Sequence, residues 1–146
     1  MNALEVGLRA TITADVTDDD TAQALGSGDV PVLGTPRLLS LAEAACVAAV
    51  APNLGEGQTT VGTAVSLEHK RASPVGASLE VEAELTRIDG RRIWFNFIAY
   101  GPGTGDDVLA RGDDPPDRPA AVIGAGTLER MVVDTERFLA GLARPS

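Results

Sequence analysis

A chain of 146 residues, 44% of them hydrophobic, carries enough apolar surface for one domain with a packed core and is too apolar to remain disordered. The formal net charge of −9 at pH 7 argues against a nucleic-acid-binding surface, which needs a basic patch. One cysteine, Cys46, allows neither an intrachain disulfide nor a metal cluster, and a single histidine, tryptophan and tyrosine leave few side chains for catalysis.

The first residues, Met1 to Gly7, lack both a basic start and a long apolar run, so no signal peptide is expected and the cytoplasm is the expected compartment. No repeat of fixed period is visible. Residues Leu8 to Val16 alternate, with Leu8, Ala10, Ile12, Ala14 and Val16 on one face, which predicts a strand with one buried face. Thr17-Asp18-Asp19-Asp20 supplies an N-cap and acidic first-turn residues for a short helix through Leu25. Gly26 to Pro31 is a flexible lead into the next element.

Gly34 to Val50 reads as one buried helix. Thr35 is the predicted N-cap and Pro36 the first helical residue, where no N–H is needed. After Arg37 the stretch is almost entirely apolar or small, yet too short and Ala-rich to span a bilayer. It is therefore the expected central helix of a core. Glu43 is out of place there, because a carboxylate in apolar surroundings is costly unless paired or protonated. The helix is expected to end near Pro52-Asn53, before the loop Gly55-Glu56-Gly57.

From Thr59 the period becomes two. Val61, Thr63, Val65, Leu67 and His69 are expected to share one face, and Thr60, Ala64, Ser66 and Glu68 the other. Leu79, Val81, Ala83 and Leu85 alternate with Glu80, Glu82, Glu84 and Thr86, and Asp89-Gly90 signals a tight hairpin into a strand from Arg92 to Tyr100. Residues 101–119, rich in Gly, Pro and Asp, read as a long exposed loop. Ala121 to Val133 is the last strand; its Gly124 and Gly126 suggest a bulge or a close backbone approach. Asp134 caps a final amphipathic helix, within a tail over 134–146, that carries Phe138, Leu139 and Leu142. Residues 1–146 are thus expected to form a single α+β domain, an antiparallel sheet around one long central helix.

This order is the layout of the hot-dog fold. Gly34-Thr35-Pro36 followed by Glu43, Thr60-Val61-Gly62-Thr63 leading to Glu68-His69, Pro74-Val75-Gly76 and Asp89-Gly90-Arg91 resemble the fluoroacetyl-CoA thioesterase-like family, from about Val6 to Val133. The resemblance implies a catalytic constellation of Thr35, Glu43 and His69. It implies an oxyanion or substrate contact at Gly62, with Thr63 beside it, and a homodimer with active sites at the subunit interface. Two departures stand out. The family's lid phenylalanine has no counterpart, since Ala24 to Leu33 contains no aromatic residue. Where many relatives read Gly-Thr-His-Glu-Arg, this chain reads Gly126-Thr127-Leu128-Glu129-Arg130, which leaves His69 as the sole imidazole.

Thioester hydrolysis needs a nucleophile, a stabilised oxyanion and a departing thiolate. Glu43 fits a general base or a direct nucleophile, and a partly buried carboxylate is the stronger base. His69 fits a proton shuttle. Bland readings stand beside these: Thr35 as an N-cap only, Glu43 as a solvated edge residue, His69 as a satisfied strand-end side chain and Cys46 as a small core residue. Arg71 and Arg130 are read as surface cations able to meet coenzyme A phosphates. Thr35 and Glu43 lie about 12 Å apart along a helix axis, so one shared site needs curvature, a substrate or a partner chain. The expected activity is hydrolysis of a short or medium acyl-CoA by a homodimer. No metal or redox cofactor is expected, with coenzyme A entering only as part of the substrate, and neither nucleic acid nor membrane is an expected partner. The alternative is a non-catalytic module that binds an acyl-CoA or a small hydrophobic ligand. A dehydratase acting on an acyl thioester is a third reading that fits the residues less well.

Overall fold

A computed structural model describes residues 3–102 and 121–142. Most of the expected loop over 101–119 and the end of the expected tail lie outside the described residues. Strand β1 (Arg9–Asp15) leads into a 3-10 turn (Asp18–Asp20) and a short helix α1 (Ala22–Leu25). Helix α2 (Thr35–Val50) and a second 3-10 turn (Ala51–Asn53) follow. Then come β2 (Gln58–His69), β3 (Ser78–Asp89), β4 (Arg92–Gly101), β5 (Ala121–Asp134) and a final helix α3 (Thr135–Ala140). The strands form one antiparallel sheet in the order β1-β3-β4-β5-β2. The short helix expected from Asp18 to Leu25 is interrupted at Thr21, whose hydroxyl caps α1 by accepting from the Ala24 N–H.

Helix α2 lies across the sheet, packed mainly on β1 and β3. Leu38, Leu41, Ala42, Ala45, Cys46, Ala49 and Val50 form its buried stripe. Against it pack Leu79, Val81, Ala83 and Leu85 of β3 and Ile93, Phe95, Phe97 and Ala99 of β4, all at alternate positions. Fully burying Phe95 or Phe97 contributes about 1.5–3 kcal/mol each. The helix is not buried all round: Ser40 and Ala44 are exposed and Val47 is 40% exposed. Among the described residues no helix is long and apolar enough to cross a membrane.

The hairpin at Asp89-Gly90 forms as its sequence predicts, with Asp89 opposite Arg92 and Gly90 at φ +63°. Asp134 caps α3, its Oδ1 accepting from the Arg137 N–H at 2.9 Å, while Phe138, Leu139 and Leu142 stay exposed.

Strand β2 breaks its expected alternation. Its register against β5 shifts between Gly62 and Ala64, so Thr63 is the extra residue of a bulge. The face expected to unite Val61 and Thr63 with His69 is therefore not kept. Gly62 points at α2, where an added Cβ would lie 2.7 Å from Glu43 Oε2, and His69 meets α2 through Thr35. The two positions are an odd number of residues apart, and the bulge brings both to the helix side.

On β5, Gly124 and Gly126 mark close backbone approaches, as the strand glycines suggest. A Cβ at Gly124 would lie 2.9 Å from the Glu68 carbonyl oxygen. At Gly126 it would collide with the Ser66 carbonyl and sit 3.0 Å from Leu67 Cα. Backbone atoms cannot step aside as a side chain does, so Gly126→Ala is expected to cost about 1–3 kcal/mol or more, read as a lower denaturation midpoint. An unchanged midpoint would show that the β2–β5 spacing is not tight there.

Candidate active site

The start of α2 is fixed from outside the helix. Gly34, not Thr35, is the N-cap residue, with extended backbone at φ −78°, ψ 143°. Its N–H donates to the Asp20 carbonyl at 2.8 Å, and a Cβ here would press on Ala22 and Leu25. The Asp20 carboxylate accepts from the Thr17 N–H and hydroxyl and pairs with Arg37 at 3.0 Å. Burial pushes this carboxyl up, but the Thr17 bonds and the Arg37 charge outweigh it and hold the carboxyl below its ordinary value.

The expected capping role of Thr35 is thus corrected. Its hydroxyl, exposed at the head of the helix, shares a hydrogen bond of 2.8 Å with His69 Nδ1. His69 Nε2 is buried and has no hydrogen-bond partner among the described residues. Burial lowers the pKa of the ring from its ordinary 6.5, against an opposing push from the Arg71 backbone. The ring is therefore neutral at neutral pH.

Glu43 lies two turns further along α2, with its side chain 39% exposed. Its cost on an apolar helix is met by pairing: Oε2 accepts from Arg130 Nη1 at 2.8 Å. The Arg130 side chain is only 7% exposed. Its Nε donates to Thr60 Oγ1 and its Nη2 to the Thr60 carbonyl, both at 2.9 Å. Gly62 lies against the same carboxylate.

Arg71 and Arg130, read from sequence as surface cations, are both buried, at 4% and 6% exposure. Arg130 turns inward because β5 places it between Leu128 and Val132 on the buried face. That position was visible in the period of the strand, and a charge on an apolar face is the signal that would have found it. Thr63 donates its hydroxyl to the Glu129 carboxylate at 2.6 Å, with the Glu129 carbonyl at 3.1 Å. Cys46 is fully buried, and burial pushes its thiol up to about 12, the Arg130 charge pulling down and Glu43 up; it is a core residue. Three elements thus build two clusters on one side of β2: Thr35 with His69, and Glu43 with Arg130, Thr60 and Gly62. No hydrogen bond joins the two clusters within the chain among the described residues. No group of His, Cys, Asp and Glu suited to a metal ion occurs among the described residues.

Residues 16–112 match the family model described as FlK, fluoroacetyl-CoA-specific thioesterase. The fluoroacetyl-CoA thioesterase of Streptantibioticus cattleyicolor is 36% identical over 107 residues, which is 73% of this chain and 65% of that protein, just under two thirds of its length. A solved structure of the fluoroacetyl-CoA thioesterase FlK superposes with a TM-score of 0.78 at 31% identity, covering 99% of this chain and 100% of that one. A variant of that enzyme in complex with fluoroacetate and CoA gives 0.73 at 32% identity, covering 92% and 99%. A thioesterase superfamily member from Thermus thermophilus, at 22% identity and a TM-score of 0.79 over 97% of this chain and 93% of that one, shares the fold. The chain belongs to the fluoroacetyl-CoA-specific thioesterase family and has its hot-dog fold.

Proposed function

We propose that this chain hydrolyses a short or medium acyl-CoA thioester as a homodimer, with Thr35, Glu43 and His69 as catalytic residues. The observation that carries the reading is the 2.8 Å bond between Thr35 and His69 on the same side of β2 as Gly62 and Glu43. Coenzyme A as the carrier is supported by the similar enzyme, solved with fluoroacetate and CoA and, as another variant, with acetyl-CoA.

The coenzyme A thiolate leaves readily, so attack on the carbonyl is the step to accelerate. Glu43 Oε1 has no hydrogen bond among the described residues and is the oxygen placed to act. It takes a proton from water as that water adds to the carbonyl carbon, or it adds itself and forms a mixed anhydride that water then opens. Donors for the oxyanion are the backbone N–H groups of Gly62 and of Thr35, since at the start of α2 the Gly34, Arg37 and Leu38 N–H groups already donate to backbone carbonyls and Pro36 has none. Each such donor is worth roughly 2.7–4 kcal/mol in measured cases. In the water route the proton taken up by Glu43 returns to the thiolate as the carbon–sulfur bond breaks, with the neutral His69 and Thr35 as the relay. In the anhydride route Glu43 holds no proton at that point, and the thiolate takes its proton from the water that opens the anhydride. Thiol release from a panel of acyl-CoA esters tests this. Glu43→Gln is expected to lower turnover by roughly two or more orders of magnitude without loss of fold. Wild-type protein that binds the esters but releases no thiol would instead favour a binding module.

Within one chain Thr35 and Glu43 are about 12 Å apart along α2, too far to act on one carbonyl. A second copy resolves this by setting Glu43 of one chain against the Thr35–His69 pair of the other. Two exposed features support such a contact. Strand β2 is a sheet edge, and Val47 and Val65 are 40% and 50% exposed beside the site. Mixing inactive Glu43→Gln and His69→Ala proteins is expected to restore activity, because each mixed dimer then holds one intact site. No restoration, once exchange of subunits is shown, would place the whole site in one chain.

The lowered pKa of His69 sets a pH dependence. Between the folded value and the ordinary 6.5 the unfolded chain binds more protons than the folded one. The stability tied to the neutral ring is present above about pH 6.5 and is lost as the pH falls through the lower folded value. Melting temperature is expected to fall over that acidic range, and to fall less in His69→Asn. An acid limb of kcat/KM above pH 6.5 would contradict the assignment of a neutral relay.

A further inference from the structure

We infer that Arg130 is a positioning residue for Glu43, anchored by Thr60; the inference rests on Glu43 being the catalytic carboxylate. Thr60 is 6% exposed and offers two acceptors from one residue, its hydroxyl and its carbonyl. Nε and Nη2 of Arg130 engage both at 2.9 Å, which fixes the plane of the guanidinium. A rigid fork held along one edge presents Nη1 at one place, and there it meets Glu43 Oε2 at 2.8 Å.

The carboxylate needs that restraint. A glutamate side chain that is 39% exposed on a helix has several rotamers open to it. Arg130 holds Oε2 from one side. Gly62 walls it from another, since even a Cβ there would lie 2.7 Å away. Together they leave Oε1 as the oxygen turned to the substrate. Lysine cannot reproduce the arrangement, because its ammonium lacks the planar fork that grips Thr60 and Glu43 at once. The chemistry also explains why a cation sits on the buried face of β5. A buried charge is tolerated only with its hydrogen bonds and its counter-charge in place, and Thr60 and Glu43 supply them.

A purely structural ion pair would show the same contacts, so the test separates the roles. kcat and KM are measured for Arg130→Met, Arg130→Lys, Glu43→Gln and the double variant Glu43→Gln/Arg130→Met, with the melting temperature of each. Arg130→Met is expected to lower kcat roughly 100-fold with KM nearly unchanged, as for a misplaced catalytic group. Arg130→Lys recovers a part of that loss. The double variant is no slower than Glu43→Gln alone, because Arg130 acts through Glu43. Wild-type kcat in Arg130→Met, or a double variant slower by the product of the single losses, overturns the inference. Wild-type turnover in Glu43→Gln instead removes the reading of Glu43 itself, which keeps the two failures apart. Should Arg130→Met not fold, Arg130→Lys and Thr60→Val carry the same comparison: lowered kcat in both supports the anchor, and unchanged kcat overturns it.

Discussion

Helix α2 covers one face of the sheet, so the face on which each β2 residue points decides what can meet the helix. A regular strand would send Gly62 and His69 to opposite faces. The bulge at Thr63 reverses the parity once and puts both on the helix side. The disturbance of the ladder is partly offset by the Thr63 hydroxyl, which binds the Glu129 side chain across the irregularity. A strand edge thereby contributes a glycine wall at one end and a histidine at the other to a single helix.

Around that constraint the electrostatics are local. The chain carries a net charge of −9, yet among the described residues two arginines are buried and one of them, Arg130, meets Glu43 of α2. Arg130 is held by neutral acceptors of Thr60 on one side and by a carboxylate on the other. Cys46 lies close enough to feel both charges in opposite senses, and burial dominates and keeps it a thiol. The His69 ring is likewise governed by burial, and its neutrality lets a hydroxyl rather than a carboxylate be its partner.

The start of α2 depends on a similar division of labour. Because Gly34 takes the cap position and the Asp20 region supports it, Thr35 is released from the helix end. By residue type a threonine there suits either a cap or a side-chain contact with β2; the cap falls one residue earlier, at Gly34, and His69 of β2 takes the hydroxyl. Strand β2 ends the sheet on the side opposite β1, and α2, which packs mainly on β1 and β3, keeps an exposed flank at Ser40, Ala44 and Val47.

The sequence by itself determined the elements and the family. Periods of two and 3.6, the hairpin at Asp89-Gly90, the cap at Asp134 and the crowding glycines of β5 are local or near-local signals, and each acts through its own backbone or nearest strand neighbour. The spacing of Thr35, Glu43 and His69 was equally legible as a resemblance. Tertiary structure alone decided which atoms meet. It turned Thr35 to His69, turned Arg130 inward to Glu43, placed the bulge at Thr63, and separated the two clusters along α2. Those outcomes depend on strand register and on how the helix lies across the sheet, and both are set by packing between residues far apart in the chain.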